Sequence, residues 1–281
     1  MVSCGMVTMV PAVKSIEPCT DERIRRVYIG LPAHNEEIAL PRLLQRIELL
    51  ATSLQIAITV LLYNDGSTDS TGTIARQWQE RLSLVVLDAP QNKGLGAGLR
   101  ALVRHVVETG HDEDILVIMD CDDTHDPAQI REMLRSIEEG ADVVIGSRFV
   151  RGALVWSVPK VRRLTALGAA ALFKLIHPVC GVRDYTCGYR SYRVSALKRA
   201  SKSYGAKLIE EAGFSCMPEL LLKLNALGLQ FTEVPLQLHY DLKPTSSKMG
   251  VGSNISQTLK LLVHSRLRGF NPSPGVIKYK N

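Results

Sequence analysis

The sequence has few aromatic residues and no closely spaced pair of cysteines. Aromatic residues make up 5% of the chain, and no stacking motif is interleaved with the basic residues, so we do not expect nucleic acid as a partner. The six cysteines are scattered and form no CxxC pair, which argues against a zinc finger and a disulfide scaffold. A chain of this kind is expected in the reducing cytoplasm.

The sequence also lacks a long apolar run. No stretch approaches the roughly 20 residues that a membrane-spanning helix needs, and the longest one, residues 166–176, is interrupted by Lys174. Residues 1–13 are apolar but lack the basic segment that opens a signal peptide. If the protein meets a membrane, we therefore expect it to lie on the cytoplasmic face as a peripheral protein.

Acidic residues are missing from one part of the chain. The formal charge is +6 over 281 residues, which favours anionic partners such as phosphorylated small molecules or an acidic membrane surface. Residues 243–280 contain no acid, whereas acids concentrate around residues 108–140. An apolar fraction of 46% is sufficient for an ordinary globular core.

Apolar segments alternate with amphipathic ones over most of the chain. The predicted strands are residues 27–31, 56–63, 84–87, 115–119, 143–147 and 230–235. The predicted helices are residues 37–52, 69–81, 96–108, 127–139, 161–176, 213–227 and 254–268. Continuously apolar strands separated by helices predict a mostly parallel sheet covered on both faces, which is a doubly wound α/β fold.

Polar segments follow the first four predicted strands. They are "PAHNE" (32–36), "NDGSTDS" (64–70), "QNKGLGAG" (91–98) and "DCDDTHDP" (120–127). Open α/β sheets bind their ligands at the carboxyl ends of the strands. We therefore expect these four segments to line one crevice.

The segment "MDCDDTHDP" (119–127) carries the most chemistry. At strand spacing Asp120 and Asp122 point to the same side, and two carboxylates suit a hard divalent cation, Mg²⁺ or Mn²⁺, that also binds substrate phosphates. A solvated turn is the alternative, with Asp126 capping the helix that begins at Pro127. The capping role accounts for Asp126 and leaves Asp120 and Asp122 unexplained.

Two glycine-containing segments are weaker signals. "NDGSTDS" alone is an ordinary turn with helix-capping residues. "NKGLGAG" does not match the dinucleotide-binding pattern GxGxxG, because position 99 is Leu and the segment does not follow the first strand. This difference argues against a dinucleotide-dependent dehydrogenase.

Several segments together resemble a known family. "LPAHNEE", "NDGSTDST", "QNKGLGAGLR", "MDCDDTHDP", "IGSRFVRG", "RDYTCGYRSYR", "GFSCMPELLLKL", "EVPLQLHY" and "SSKMG" are similar to successive blocks of family 2 glycosyltransferases. They are most similar to the branch of dolichyl-phosphate mannose synthases and related polyprenyl-phosphate glycosyltransferases. The resemblance covers residues 27–250 and implies a glycosyltransferase A-type, Rossmann-like fold. It implies a catalytic domain at residues 26–242, before a basic segment at residues 243–281. Residues 1–25 show no clear hydrophobic period and are expected to be a flexible lead-in.

The resemblance also implies a site for the nucleotide-sugar donor, a GDP- or UDP-hexose. Pro32, Glu36 and Asp65 would contact the nucleoside. Asp120 would lie near the ribose and contribute to the metal site, and Asp122 would hold the metal ion that bridges the diphosphate. The implied cofactor is therefore Mg²⁺ or Mn²⁺.

On the acceptor side, the resemblance implies a group of cations. Arg148 and Lys248 would surround the phosphate of a polyprenyl-phosphate acceptor and, together with Asp122, form the catalytic set. Arg162 and Arg163 are expected to join them, because guanidinium groups pair bidentately with phosphate. The alternative for these two arginines is a solvated basic surface.

The chain departs from the family pattern at several positions. Asn64 stands where the family usually has an acid. Thr124 stands where a glutamine often assists the metal, so Asp123 or water is the candidate replacement. His34 replaces a common tyrosine, and either a structural or a catalytic role is compatible with the sequence.

The predicted reaction is an inverting transfer of mannose or glucose. A lipid phosphate is already an anion and needs no general base, whereas a hydroxyl acceptor on a glycan or small molecule would need one. Glu211 or Glu219 is the candidate base for that alternative. A non-catalytic nucleotide-binding module is a third interpretation.

The helix predicted at residues 254–268 is basic and amphipathic. Such a helix can lie in a lipid interface, where anionic headgroups attract it, or it can dock on the protein core. The helix predicted at residues 161–176 is also apolar, so the two could shape a shallow channel for a prenyl chain.

Overall fold

The computed structural model describes residues 24–243 and 251–270. Its strands are β1 (Arg26–Ala33), β2 (Ala57–Asp65), β3 (Leu84–Ala89), β4 (Ile115–Ile118), β5 (Val143–Ser147), β6 (Leu154–Trp156), β7 (Arg190–Arg193), β8 (Phe231–Pro235) and β9 (Gln237–His239). Its α-helices are α1 (Leu40–Ser53), α2 (Thr71–Gln77), α3 (Leu95–Thr109), α4 (Ile130–Glu138), α5 (Lys160–Ile176), α6 (Val194–Tyr204), α7 (Cys216–Ala226) and α8 (Val251–Arg268). Every predicted strand and helix corresponds to one of these elements.

Seven strands form one central sheet in the order β3-β2-β1-β4-β7-β5-β8. All neighbouring pairs are parallel except those of β7, which runs antiparallel to both β4 and β5. All four residues of β4 are buried, as are all five of β5. Because successive side chains of a strand point to opposite faces, this burial requires cover on both faces of the sheet.

The packing at the centre of the sheet is close. A Cβ atom on Gly30 of β1 would lie 2.7 Å from Cδ1 of Ile118 in β4, so a larger residue at position 30 would displace that side chain. Ile29 and Leu31 on either side of Gly30 are fully buried, and each such side chain contributes about 1.5–3 kcal/mol of burial free energy. This core fixes the ends of β1 and β4 relative to one another.

The sequence did not predict four elements: β6, β7, α6 and β9. Strand β7 reads Arg-Ser-Tyr-Arg, which has no apolar pattern, yet Arg190 is fully buried. Its guanidinium donates hydrogen bonds to the carbonyls of Met217 (2.8 Å) and Tyr185 (2.7 Å). Backbone carbonyls thus compensate a charge that hydrophobic periodicity cannot detect.

Two helices outside the sheet contact each other. His177, just after α5, and Ser265 of α8 are linked by a hydrogen bond of 2.7 Å between Nε2 and Oγ. Leu261 and Leu262 of α8 are buried in the core, which confirms that one face of this helix docks on the protein. None of the helices in the described ranges is both long and apolar enough to cross a bilayer.

Candidate active site

The acidic segment after β4 forms a turn and not a continuation of the strand. The strand ends at Ile118, and Asp123 adopts a positive φ of 58°. The expectation that strand alternation aligns Asp120 with Asp122 is therefore wrong, because the backbone bends between them. The turn nevertheless keeps the two carboxylates near each other, since the charge of Asp122 contributes to raising the pKa of Asp120.

The neighbours of Asp122 hold it in its charged form. Its Oδ1 accepts hydrogen bonds from the backbone N (3.2 Å) and the Oγ1 (2.7 Å) of Thr124, and its Oδ2 pairs with the Lys243 ammonium. Burial alone would raise the pKa of Asp122, but Lys243 and Thr124 together lower it. Thr124 thus orients the predicted metal ligand.

The pKa of Asp120 is shifted in the direction opposite to that of Asp122. Burial raises the pKa of its carboxyl and Asp122 adds to the rise, while His125, Lys243 and Arg148 oppose it. No hydrogen-bond donor to its carboxylate is found among the residues that the structure describes. A partly buried acid without such a donor is one that a cation would stabilise.

The other two acids of the segment face α1. Both oxygens of the buried Asp123 pair with arginines of α1, one with Arg42 and one with Arg46. Asp123 is therefore not free to assist a metal, and that expectation is wrong. Asp126 accepts a hydrogen bond from the backbone N of Ala128 at 3.0 Å, which confirms its predicted role as a helix cap.

The ligands available fit a magnesium or manganese ion. The described residues bring no three His, Cys, Asp or Glu side chains together in a metal-binding geometry, so the protein offers only part of a coordination sphere. Ions of this type commonly take one or two protein carboxylates and complete the shell with water and substrate phosphates. Asp120 and Asp122 satisfy that requirement, and the ammonium paired with Asp122 shows that a cation is accommodated there.

The predicted nucleoside contacts lie at the ends of β1 and β2, which are adjacent. Pro32 pairs in register with Tyr63 of β2. Both carboxylate oxygens of Asp65 accept backbone hydrogen bonds, from Lys93 at 2.7 Å and from Gly94 at 2.9 Å. Asp65 therefore shapes the loop between β3 and α3, and its contact with a nucleoside stays a prediction.

The first two polar loops are joined to each other. The backbone N of Glu36 donates to Oγ1 of Thr71 (2.8 Å), and His34 Nδ1 lies 2.8 Å from the carbonyl oxygen of Asp65. Asn64 donates to Asp88 (2.8 Å), which gives this departure from the family pattern a structural role. The loops after β1, β2 and β3 are thus brought together as predicted, and the acidic turn follows β4, the strand next to β1.

Arg148 follows β5 and is held by a buried acid. Its Nε and Nη2 donate to the two carboxylate oxygens of Asp184 at 2.7 and 2.6 Å, and Nη2 also reaches Oγ1 of Thr186 at 2.7 Å. Burial opposes the charge of Arg148, but Asp184 and, more weakly, Asp120 raise its pKa. Arg148 is therefore a fixed and partly neutralised cation, and its contact with the acceptor phosphate stays a prediction.

A cavity of about 510 Å³ lies beside these residues. Arg162 and Arg163 line it from the first turn of α5, and Leu172 lines it from the same helix ten residues further on, a rise of about 15 Å. Arg148 also lines the cavity, and Arg162 lies over the Tyr240 ring at 5.5 Å. The apolar walls of the cavity include Leu167, Leu172, Phe214, Pro218, Leu238 and Leu259. The structure thus brings three of the four predicted acceptor cations together, and the fourth, Lys248, lies outside the described residues.

The two candidate bases have other partners. Glu219 is 2% exposed, and its carboxylate accepts hydrogen bonds from the backbone N of Glu210 and Glu211 and from Lys223. It therefore stabilises the loop before α7, and its predicted role as a base is wrong. Glu211 accepts a hydrogen bond from Ser215 at 2.6 Å and is partly exposed.

Two site residues were missed at the sequence level. Asp184 lies in the segment "RDYTCGYRSYR" (183–193), but nothing in the spacing of the sequence indicated that it would pair with Arg148. Lys243 belongs to the basic C-terminal segment, 121 residues from Asp122 in the chain. The only available signal was the demand of an acidic cluster for a cation.

Comparisons with known proteins identify the family of the chain. The profile of the family described as Glycosyl transferase family 2 matches residues 28–200. The chain is 28% identical over 273 residues to the polyprenol monophosphomannose synthase of Mycolicibacterium smegmatis, an alignment that covers 93% of this chain and 95% of the relative. It is 32% identical over 212 residues to the undecaprenyl-phosphate mannosyltransferase of Micrococcus luteus, with 75% of this chain and 82% of that protein covered.

A solved structure shares the fold. Glucosyl-3-phosphoglycerate synthase from Mycobacterium tuberculosis, in complex with Mn²⁺, uridine diphosphate and glucosyl-3-phosphoglycerate, matches with a TM-score of 0.62 at 21% identity. The match covers 90% of this chain and 82% of that one. This likeness confirms the predicted fold class.

Proposed function

The chain belongs to glycosyl transferase family 2, and on that premise we propose that it transfers mannose or glucose from a GDP- or UDP-sugar to a polyprenyl phosphate. Two proteins that the chain resembles are a polyprenol monophosphomannose synthase and an undecaprenyl-phosphate mannosyltransferase. Their names support a polyprenyl-phosphate acceptor for this chain. The proposed transfer inverts the configuration of the sugar and depends on a divalent metal.

One observation supports a polyprenyl phosphate as the acceptor: the cavity beside the acidic turn is charged at one end and apolar at the other. Arginines line it at the start of α5, and leucines line it further along the same helix. Tyr240 lines the cavity and Lys243, three residues later, pairs with Asp122. A polyprenyl phosphate has the same polarity, with a charged head and an apolar chain.

On the donor side, Asp122 and Asp120 would hold Mg²⁺ or Mn²⁺. When bound, such an ion neutralises the charge that the nucleoside diphosphate gains as the glycosidic bond breaks. Structures from M. tuberculosis that share the fold contain Mn²⁺ or Mg²⁺ together with uridine diphosphate. Thr124 keeps Asp122 oriented and charged for this task.

On the acceptor side, the arginines would bring the lipid phosphate close to the diphosphate of the donor. Arg162 and Arg163 would bind the lipid phosphate, whose oxygen attacks the anomeric carbon directly because it is already ionised. Arg148 lies between the two charged regions, since it lines the cavity and interacts electrostatically with Asp120. Its pairing with Asp184 fixes its orientation there. The predicted contribution of Lys248 would come from the segment after Lys243.

Helices α5 and α8 would place the cavity at a membrane surface. Neither helix contains an acidic residue. Among the residues whose burial the structure describes, the exposed large apolar side chains are Val161, Leu164, Leu167 and Leu175 of α5 and Leu259 and Val263 of α8. Exposed cations flank them, among them Lys160, Lys174 and Lys260. A surface of this composition suits the interface of a bilayer with anionic lipids, on its cytoplasmic side.

A donor screen tests the proposal. The protein is incubated with Mn²⁺ and each of several radiolabelled GDP- and UDP-hexoses, with and without a short polyprenyl phosphate. A lipid-extractable product that mild acid hydrolyses to the free sugar is the expected result. Transfer to a glycan or small-molecule hydroxyl with no lipid product would contradict the acceptor class, and binding of nucleotide without any transfer would contradict the catalytic role.

A further inference from the structure

The described part of the metal site already contains a positive charge. Lys243 pairs through Nζ with Oδ2 of Asp122, and the two side chains are 15% and 12% exposed. A buried carboxylate of this kind requires a positive partner, and Lys243 supplies it.

The backbone around Lys243 is tied to the acidic turn at several points. The backbone N of His239 donates to the carbonyl of Thr124 at 2.8 Å, and Leu238 forms an antiparallel bridge with His125. Arg42, which pairs with Asp123, also donates to the carbonyl of Leu242 at 3.1 Å. These contacts fix the segment from which Lys243 reaches Asp122, so the pairing is a built feature of the site.

A divalent ion and this ammonium require the same oxygen. Asp122 Oδ1 is occupied by two hydrogen bonds from Thr124, which leaves Oδ2, the oxygen that Lys243 occupies. Two cations in direct contact with one carboxylate oxygen repel each other strongly where water is largely excluded. Lys243 therefore has to leave Oδ2 when a metal ion binds there.

We propose that Lys243 is an internal counter-ion that competes with the divalent metal for Asp122 and so weakens metal binding until the donor arrives. This inference rests on the proposed function, because it takes Asp122 as the metal ligand. Binding of a nucleotide diphosphate brings negative charge that accommodates both the metal and the displaced ammonium. Metal and nucleotide binding are thereby coupled through one lysine.

The test is a titration with Mn²⁺ alone, without nucleotide, followed by the electron paramagnetic resonance signal of the free ion. The full chain is compared with the variants Lys243→Met, Lys243→Arg and Lys202→Met. Lys202 is an exposed lysine of α6 and is the matched control. We expect Lys243→Met to bind Mn²⁺ about tenfold more tightly, a factor typical of coupled sites. Lys243→Arg and Lys202→Met should bind it as the unmodified protein does.

An Asp122→Asn variant separates the two possible failures. If it loses Mn²⁺ binding while Lys243→Met binds no more tightly than the unmodified protein, the competition is overturned and the metal site stands. If Asp122→Asn binds Mn²⁺ as well as the unmodified protein does, the metal site of the proposed function fails, and the inference with it.

A second measurement does not depend on the folding of a variant. Lysines of the unmodified protein are acetylated with and without Mn²⁺, in the absence of nucleotide, and the extent at each position is read by mass spectrometry. Displacement by the metal predicts that modification of Lys243 increases several-fold on adding Mn²⁺, while that of Lys202 is unchanged. A decrease or no change at Lys243 would overturn the proposal.

Discussion

Arg148 and Asp184 form a bidentate ion pair between the end of β5 and the loop before β7. The Asp184 side chain is fully buried, and that of Arg148 is 24% exposed. Burial alone would raise the pKa of Asp184, but Arg148 lowers it through its charge and its hydrogen bonds. The pair thus places one fixed guanidinium between the acidic turn and the cavity.

Replacing Asp184 with Asn is expected to destabilise the protein strongly. The amide keeps the shape of the side chain but leaves the Arg148 charge without its counter-ion, which typically costs about 3–5 kcal/mol for a buried pair. Urea denaturation followed by circular dichroism measures this change. The matched control is Asp112→Asn, which breaks the exposed pair with Lys198 and should cost about 1 kcal/mol or less. Equal stabilities of the two variants would refute a structural role for the Arg148 pair.

Removing Arg162 or Arg163 is expected to weaken binding of the acceptor and not of the donor. A hydrogen bond to a charged group contributes about 1.5–3 kcal/mol, so Arg162→Met and Arg163→Met should each raise the KM for a polyprenyl phosphate about tenfold or more. The KM for the nucleotide sugar should stay within about twofold, a change well under 1 kcal/mol. Steady-state kinetics with each substrate varied in turn, and with Lys202→Met as the control, measure both values. A rise confined to the KM for the nucleotide sugar would show that these arginines bind the donor and not the acceptor.

The exposed face of α5 is expected to bind anionic membranes. Leu164 is 72% exposed, and in α1 Leu49 is 64% exposed. Because only Leu164 lies beside basic residues on the proposed membrane face, Leu164→Glu should reduce sedimentation with phosphatidylglycerol vesicles several-fold, whereas Leu49→Glu should not. Raised salt should weaken binding of the unmodified protein, because the electrostatic attraction is screened. Equal losses in the two variants would remove the evidence for a specific face.

The contact between α5 and α8 is expected to weaken in mild acid. Burial lowers the pKa of His177 below its usual value, and the charge of Arg266 adds to the effect. The folded state thus favours neutral His177, so its contribution to stability is complete above the unfolded pKa of about 6.5 and is lost as pH falls through the folded value. The thermal midpoint of the unmodified protein, compared at pH 7.5 and 5.5 with that of His177→Gln, measures this. The unmodified protein should lose more stability than the variant on acidification, and equal losses would contradict this account.

The sequence was sufficient to predict the parallel strands of the sheet. The cores of β1, β2 and β4 are continuously apolar, and hydrophobic periodicity therefore identified them. Strand β7 escaped because its buried Arg190 is satisfied by carbonyls of Tyr185 and Met217, which come together only in the folded chain. A polar strand inserted between two apolar ones has no signature in a single sequence.

The site was predicted by residue type more reliably than by geometry. Asp120 and Asp122 were identified from their density of charge after an apolar strand, but strand alternation was the wrong reason for their proximity, since the chain turns after Ile118. The role of Glu219 was mistaken because its partners, the backbone N–H groups of residues 210 and 211, are set by a loop. Lys243 was likewise missed, because its partner Asp122 lies 121 residues away in the chain.

The most direct test of the account is the transfer assay with Asp122→Asn. With Mn²⁺, a radiolabelled nucleotide hexose and a short polyprenyl phosphate, the unmodified protein should form a lipid-extractable sugar phosphate. The Asp122→Asn variant, if still folded by circular dichroism, should lose at least about 100-fold in rate, the scale expected when electrostatic stabilisation of a leaving group is removed. A folded Asp122→Asn variant that keeps full, Mn²⁺-dependent activity would contradict the claim that the acidic turn holds the metal against the departing diphosphate.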